Sequence, residues 1–518
     1  MFKSIMGLIK NKRGHYVKTI STVAIINMVL AILALVKDIG FAGYLGTSAI
    51  ADALILAYFI TDMLGNNLFG TAVGISTIPT FSKLYVKKGK EGLYSGLVNV
   101  NIFTTIASFI LVLLIFIFKE PIINVLGYGF SGETKLLTTN LLNILLPTIL
   151  LYPLVTAGIS SLQIVGKFNI GAFPPILLNA ALLIGIIISV FFNINTSSGV
   201  YVVTASIMVG VVCMVLLVYI FLPNLKITLT LIKDSIKCWG ETRTIIKLLV
   251  PVLFIFILSQ AVYYIERFLA SSFEDGSVAA LNYAFRLSQF PIWVFVGAIG
   301  AVTFPLLAIT KEKENLDEVK RIIEKALVFI LIVTIPMVLI LNILRNPIIT
   351  LLFLRGAFDD NSLKMTSLIL MGYSISIVGQ SMTAIFLKVC LTIGDISSLL
   401  KAYLISVSVN IIADIYLVKV VGLAGIGYGA AIGGTLNALL LVYFMKRKFG
   451  FDYKNVFRKF VRIIAANIPV IVLILLFGAV WDNVLANMTF LYKFIGMAFT
   501  MLMIVILYYY SLKAVSAV

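Results

Sequence analysis

From about residue 19 onward the chain alternates long apolar runs with short polar breaks rich in charge or in Gly, Pro and Asn. About 20 mostly apolar residues are needed for a helix to cross a bilayer. By that measure the pattern predicts fourteen spans: 19–43, 50–82, 95–118, 137–165, 170–193, 199–223, 245–273, 277–310, 324–344, 361–391, 396–419, 423–445, 459–480 and 489–513. The breaks carry their positive charge unevenly. Clusters precede the first span (Lys10, Lys12, Arg13) and follow the second (Lys83, Lys87, Lys88, Lys90), sixth (Lys226, Lys233, Lys237), eighth (Lys311, Lys313, Lys320, Arg321) and twelfth (Lys446, Arg447, Lys448, Lys454). With fourteen crossings all of these fall on one side, which the positive-inside rule makes cytoplasmic, together with both termini. Loops on the other side, such as "FNINTSSG" and "WDNVLANM", carry almost no positive charge.

Composition agrees with an all-α polytopic membrane protein: of 518 residues, 61% are hydrophobic and only 12% charged. The net charge of +18 sits in the short loops, so it serves orientation and not nucleic-acid binding. Cys213, Cys238 and Cys390 are isolated, and His15 is the only histidine, which excludes a disulfide framework and Cys/His metal sites. Residues 1–18 place basic residues around a short apolar patch with no small-residue cleavage site, so a retained cytoplasmic amphipathic segment is expected there.

An internal repeat is visible. The second span ends "GISTIPTF" (74–81) and the eighth "GAVTFPLL" (300–307), both reading G-x-x-T-x-P ahead of a basic loop. This predicts two six-span lobes, 19–223 and 245–445, joined by a cytoplasmic linker at 224–244, with a loop and two further spans in 446–518. Two such lobes imply transporter architecture, with a cavity at their interface and alternating access by rocking.

Charges inside the spans are costly, at least ~2.5–3.5 kcal/mol each on insertion scales, and should face the protein interior or water. They are Lys37 and Asp38 in the first span, Asp52 in the second, Glu266 and Arg267 in the seventh, Arg286 in the eighth and Asp414 in the eleventh. Lys37–Asp38 and Glu266–Arg267 lie near an interface, where snorkelling or local pairing competes with a functional role. Arg286, in "NYAFRLSQFPIWVFVGAIGAV" and about ten residues into the span 277–310, either pairs with a carboxylate to hold the structure or lines the cavity. In the cavity its planar fork would bind an anionic head group bidentately. Asn410 and Asp414 in "NIIAD" are one turn apart on one helix face. They act either as interhelical hydrogen-bonding groups or, with Glu266, as oxygen ligands for a hard cation such as Na⁺. No G-x-x-x-x-G-K-[ST] phosphate loop occurs, so transport would draw on an ion gradient, the membrane potential or the substrate's own gradient.

The motifs "LVKDIGFAGYLGTSAIADAL", "GISSLQIVGKFNIGAFPPILLN", "NYAFRLSQFP" with "TFPLL", "LRGAFD" at 354–359 and the "GD" turn at 394–395 resemble, in order, the MurJ/MviN lipid II flippases of the multidrug/oligosaccharidyl-lipid/polysaccharide exporter superfamily. The resemblance implies a fourteen-helix, two-lobed inverted-V fold. It also implies transport of undecaprenyl-pyrophosphate-linked peptidoglycan precursor between leaflets of the bacterial cytoplasmic membrane, with no enzymatic step. Arg286, Lys37 and Asp52 match family positions in the substrate cavity, Asp38 and Arg355 are further candidates for its wall, and Glu266, Asn410 and Asp414 match a sodium site of some members. Implied partners are lipid II, membrane lipids and proteins of cell-wall synthesis, and a monomer suffices for the fold. The chain departs from the pattern where Gly65, Gly70 and Ala31 replace two arginines and an acid of the amino-terminal lobe. This keeps open a different lipid-linked glycan (capsule, teichoic acid or exopolysaccharide precursor) as cargo and, further off, multidrug export.

Overall fold

In hydrocarbon no water satisfies backbone N–H and C=O groups, so apolar runs of this length close their hydrogen bonds internally as helices. The computed structural model describes residues 14–222, 239–297, 299, 303, 307 and 316–515, and no β-strand occurs among them. The chain divides into two compact units, Met1–Gln260 and Ala261–Val518.

In the first unit the order is α1 (Gly14–Leu45), α2 (Ala49–Asp62), a π-helical stretch (Met63–Gly70), α3 (Thr71–Leu126), α4 (Gly132–Leu145), α5 (Thr148–Ile164), a single turn at Phe168–Gly171, α6 (Pro174–Phe191) and α7 (Thr196–Ile220). Ser48 starts α2: its Oγ accepts from the Ala51 amide at 3.2 Å and donates to the Leu45 carbonyl at 2.8 Å. At 1.5 Å per residue, the 56 residues of α3 would be far longer than a bilayer core of about 30 Å. Gly89 breaks it with φ 62° and ψ −150°, a conformation open essentially to glycine alone. The break sits among Lys83, Lys87, Lys88 and Lys90, where the expected second and third spans meet in a basic turn. α5 packs on α3 and the π-helical stretch, α4 on α2, and α6 on α1 and α7.

The second unit takes the end of α8 (Trp239–Ser271), then α9 (Ser277–Pro291), a second π-helical stretch (Ile292–Val296), α10 (Leu316–Ile343), α11 (Arg345–Phe353), α12 (Asp360–Ile393), α13 (Ile396–Val421), α14 (Ala424–Phe449), α15 (Lys454–Ala466), α16 (Ile468–Asn483) and α17 (Phe490–Ala514). Its centre is α12, packed against α9, α10 and α14, with α13 on the other side of α14. Glycines let α12 and α14 meet backbone to backbone. A Cβ added to Gly372 would lie 2.3 Å from the Gly427 carbonyl carbon, and one on Gly379 2.5 Å from that of Gly434. The last two helices are built into this unit: Val470, Ile474, Phe477, Trp481, Met497 and Ile504 share a core with Ile340, Leu344 and Leu351.

Among the described residues ten helices are long and apolar enough to cross a membrane, or eleven if the bent pair Gly132–Leu145 and Thr148–Ile164 forms one crossing. That criterion does not reach fourteen. Ala49–Leu126 counts as one run although Gly89 folds it, and the expected span 277–310 is only partly described. Large apolar side chains such as Ile106, Phe109, Ile117 and Val505 are exposed on the helix surfaces, as lipid-facing positions should be.

The repeat read from the sequence has a backbone counterpart. In each unit a 14- or 15-residue helix, α2 or α9, runs directly into a π-helical stretch. Most of the second G-x-x-T-x-P copy lies outside the described residues, as do 1–13 of the amino-terminal segment and 223–238 of the linker.

Candidate functional site

Three of the predicted polar residues come together in the second unit. Asn410 and Asp414 project from α13 and are buried, Asp414 completely. The facing helix α14 makes room for them with Gly429 and Gly433. A Cβ at Gly429 would lie 1.8 Å from Asp414 Oδ1, and one at Gly433 2.5 Å from the Asn410 Cβ. Glu266 on α8 is buried and close enough to Asp414 for the two carboxylates to repel. Its Oε2 accepts a 2.8 Å hydrogen bond from Tyr373 of α12 and stands 3.6 Å from Arg267 Nη1. The Asn410 amide faces the Gly429 carbonyl and the Asp414 carboxylate, and its nitrogen donates to Gly429 O at 3.2 Å and to Asp414 Oδ1 and Oδ2 at 3.3 and 3.0 Å. Oxygen-inward, the amide, carbonyl and carboxylate form a hard-donor cluster suited to a cation; nitrogen-inward, the cluster satisfies itself. Among the described residues no group of three His, Cys, Asp or Glu side chains is arranged as a metal site.

Arg286 lies on α9, half-buried. One turn further on, Gln289 Nε2 donates to Gln380 Oε1 of α12 at 2.7 Å, and Gln380 Nε2 donates to Ser376 Oγ at 2.9 Å, which fixes this stretch of helix. The guanidinium centre stands 5.8 Å from the Trp293 ring across the start of the π-helical stretch. Its Nε has no hydrogen-bond partner, and among the described residues no carboxylate pairs with it. The carboxylate-paired reading of Arg286 therefore has no support within the described residues.

The first unit treats its charges differently. Lys37 Nζ and Asp38 Oδ1 pair at 2.7 Å, both side chains buried, so the local-pairing expectation holds for them. Asp52 is buried in the first turn of α2, where the helix dipole favours an acid. Gly65 and Gly70, which stand where the resemblance expects an arginine and an acid, are closed in by α5. A Cβ at Gly65 would meet Tyr152 Cδ2 at 2.8 Å and the Ile149 Cα at 3.0 Å, and one at Gly70 would meet Gly65 O at 3.1 Å. Arg355 is exposed in the turn between α11 and α12. It donates to the Leu351 carbonyl, and its guanidinium stands 5.4 Å from the Phe490 ring at the start of α17.

Two features carry no sequence signal. Tyr373 is one tyrosine among 22, and nothing in its spacing marks it as the partner of Glu266. Asp62 ends α2 and accepts from Asn66 Nδ2 at 3.1 Å and Asn67 Nδ2 at 2.9 Å, contacts that exist because the π-helical stretch brings both amides round to it.

The lipid II flippase MurJ family model matches residues 41–513. A probable lipid II flippase MurJ from Buchnera aphidicola subsp. Acyrthosiphon pisum is 28% identical over 429 residues, covering 82% of this chain and 83% of that protein. The lipid II flippase MurJ of Burkholderia cenocepacia is 23% identical over 449 residues, 83% of this chain and 84% of that one. A solved structure of lipid II flippase MurJ in an inward closed conformation covers 95% of this chain and 99% of its own at a TM-score of 0.75 and 24% identity. An inward-facing MATE family multidrug resistance transporter of the MOP superfamily follows at 0.67 and 16% identity, covering 82% of this chain and 98% of its own. With nearly its whole length matched by the family model and its fold shared with a solved MurJ, the chain belongs to the lipid II flippase MurJ family.

Proposed function

We propose that this protein is a flippase, not an enzyme, and that it moves lipid II from the inner to the outer leaflet of the bacterial cytoplasmic membrane by alternating access, with both termini cytoplasmic. Beyond family membership, the observation that carries this reading is Arg286, a cation in an apolar helix with no carboxylate partner among the described residues. A guanidinium so placed offers a planar fork to a pyrophosphate, and the desolvated surroundings strengthen the contact. Lys37, already paired with Asp38, contributes less, and Asp52 and Asp38 act mainly on the local structure of α1 and α2.

Asp414, Asn410 through its amide oxygen, the Gly429 carbonyl and Glu266 are the residues that would hold a sodium ion. Bound there, the ion supplies a positive charge that relieves the repulsion between the two carboxylates. Asn410 would then turn its amide oxygen to the ion; without the ion its nitrogen donates to Asp414.

The test is complementation of a bacterial strain depleted of its own lipid II flippase. Growth and normal cell shape support lipid II as cargo. Failure by a protein that reaches the membrane at normal levels would favour another lipid-linked glycan. One observation leans toward that second reading: packing at Gly65 leaves no space for the arginine that the family pattern expects.

A further inference from the structure

We infer that Arg267 is the resident counter-ion of the cation site, and that its release from Glu266 couples filling of that site to anion binding at Arg286; the inference rests on the sodium and head-group readings above. Arg267 is 3% exposed, so its charge must be met by neighbours. They include the Tyr263 carbonyl, which accepts from Nη1 at 3.2 Å, the Tyr263 and Phe285 rings, whose centres lie 5.9 and 6.0 Å from the guanidinium, and Glu266.

The contact with Glu266 is loose. Arg267 Nη1 stands 3.6 Å from Oε2, against about 2.7–2.9 Å for a well-formed charge-assisted hydrogen bond. The same oxygen is held firmly by the Tyr373 hydroxyl at 2.8 Å. Glu266 can thus keep its place through Tyr373 while Arg267 gives up its share of the carboxylate's charge. Tyr373 is the positioning residue and Arg267 the exchangeable one.

Arg267 also faces the anion side. Phe285, which it stacks upon, immediately precedes Arg286 and packs edge-on against both Tyr263, at 5.3 Å, and Tyr373, at 5.9 Å. The two guanidinium groups are near enough to repel one another. While Glu266 holds the Arg267 charge, that repulsion is partly offset. Once another cation meets the carboxylates, the field of Arg267 adds to that of Arg286, and an anion beside Arg286 becomes more favourable. By reciprocity the anion must tighten cation binding by the same factor. An Arg267 that only held helices together would stabilise the fold without producing this linkage.

The experiment is a thermal-shift titration of the purified full-length protein with sodium, choline holding ionic strength constant, with and without farnesyl pyrophosphate as the anionic probe. In the wild type the probe is expected to lower the half-saturating sodium concentration about fivefold or more, in the range usual for coupled sites. Arg267→Gln is expected to bind sodium at least as tightly, having lost its internal competitor, and to show a larger sodium-induced shift, while the linkage factor falls to about one. If that variant does not fold, Arg267→Met keeps the stem's packing without the charge and carries the same expectation. Wild-type linkage surviving in either variant overturns the inference, as does sodium and probe binding in the wild type with no linkage between them. Absence of any sodium response in the wild type overturns the site reading itself, and this inference with it.

Discussion

The two helices that break into π-helical stretches share a backbone plan and oppose each other in charge. In the first unit the break holds an acid, Asp62, whose two oxygens are met by the Asn66 and Asn67 amides. In the second the helix ahead of the break carries a base, Arg286, beside Trp293 and with Nε unpartnered. Lys37, the other cation foreseen as a head-group ligand, is neutralised by its own sequence neighbour. A charge deep in the membrane costs several kcal/mol unless something offsets it. The first unit offsets that cost with local partners. At Arg286 the second leaves it for something else to offset, and this difference argues that anion binding belongs mainly to the second unit.

Removing the base should have the largest effect. Arg286→Ala is expected to weaken lipid II binding by about 100-fold, in line with the ~2–5 kcal/mol lost on truncating a buried charged contact, with Arg286→Lys intermediate because it keeps the charge and loses the fork. Next, Asp414→Ala should abolish the sodium-dependent rise in thermal midpoint while leaving the sodium-free midpoint within a few degrees; an undiminished sodium response would refute the site. Restoring the missing arginine of the first unit should not make it resemble the second. Gly65→Arg must displace Tyr152 and the α5 backbone, and overpacking of that kind costs about 1–3 kcal/mol. Thermal denaturation should show a lower midpoint with no gain in lipid II affinity.

The smallest effect is expected at the turn between α12 and α13. Burial alone would raise the Asp395 carboxyl, but hydrogen bonds from the Lys448 ammonium, at 2.7 Å, and from Ser398 outweigh it and hold its pKa below the ordinary aspartate value. A depressed carboxyl contributes stability that is present above the unfolded-state pKa, near 4, and is lost as pH falls through the lower folded-state value. Lys448 is half-exposed, so its share is about 1 kcal/mol or less. Lys448→Met should lower the thermal midpoint slightly at pH 7 and converge with the wild type near pH 3; a constant difference across that range would contradict the assignment.

The sequence carried much of the fold because the bilayer imposes one rule on every apolar run, and lysines mark the turns. Even the folding of α3 at Gly89 coincides with a lysine cluster. The Asn410–Asp414 pair was legible because helical spacing alone puts the two on one face, and pairing of Lys37 with Asp38 because they are adjacent. Tyr373 was not legible: its bond to Glu266 spans 107 residues and depends on how α8 and α12 pack. The Asp62 cluster was hidden by its backbone. With ordinary helical spacing Asn66 lies one turn on but Asn67 does not, and only the π-helical stretch brings both amides to one carboxylate. Gly65 likewise looked like a simple loss of charge until the nearness of Tyr152 and Ile149 showed the space to be filled.

The most direct test of the difference between the units is equilibrium binding of fluorescent lipid II to the purified protein in nanodiscs, comparing Arg286→Ala with the paired change Lys37→Gln plus Asp38→Asn, which removes both members of the first unit's ion pair. Arg286→Ala should lose about 100-fold in affinity and the paired change less than about threefold. Equal losses, or a larger loss from the paired change, would contradict the assignment of anion binding to the second unit.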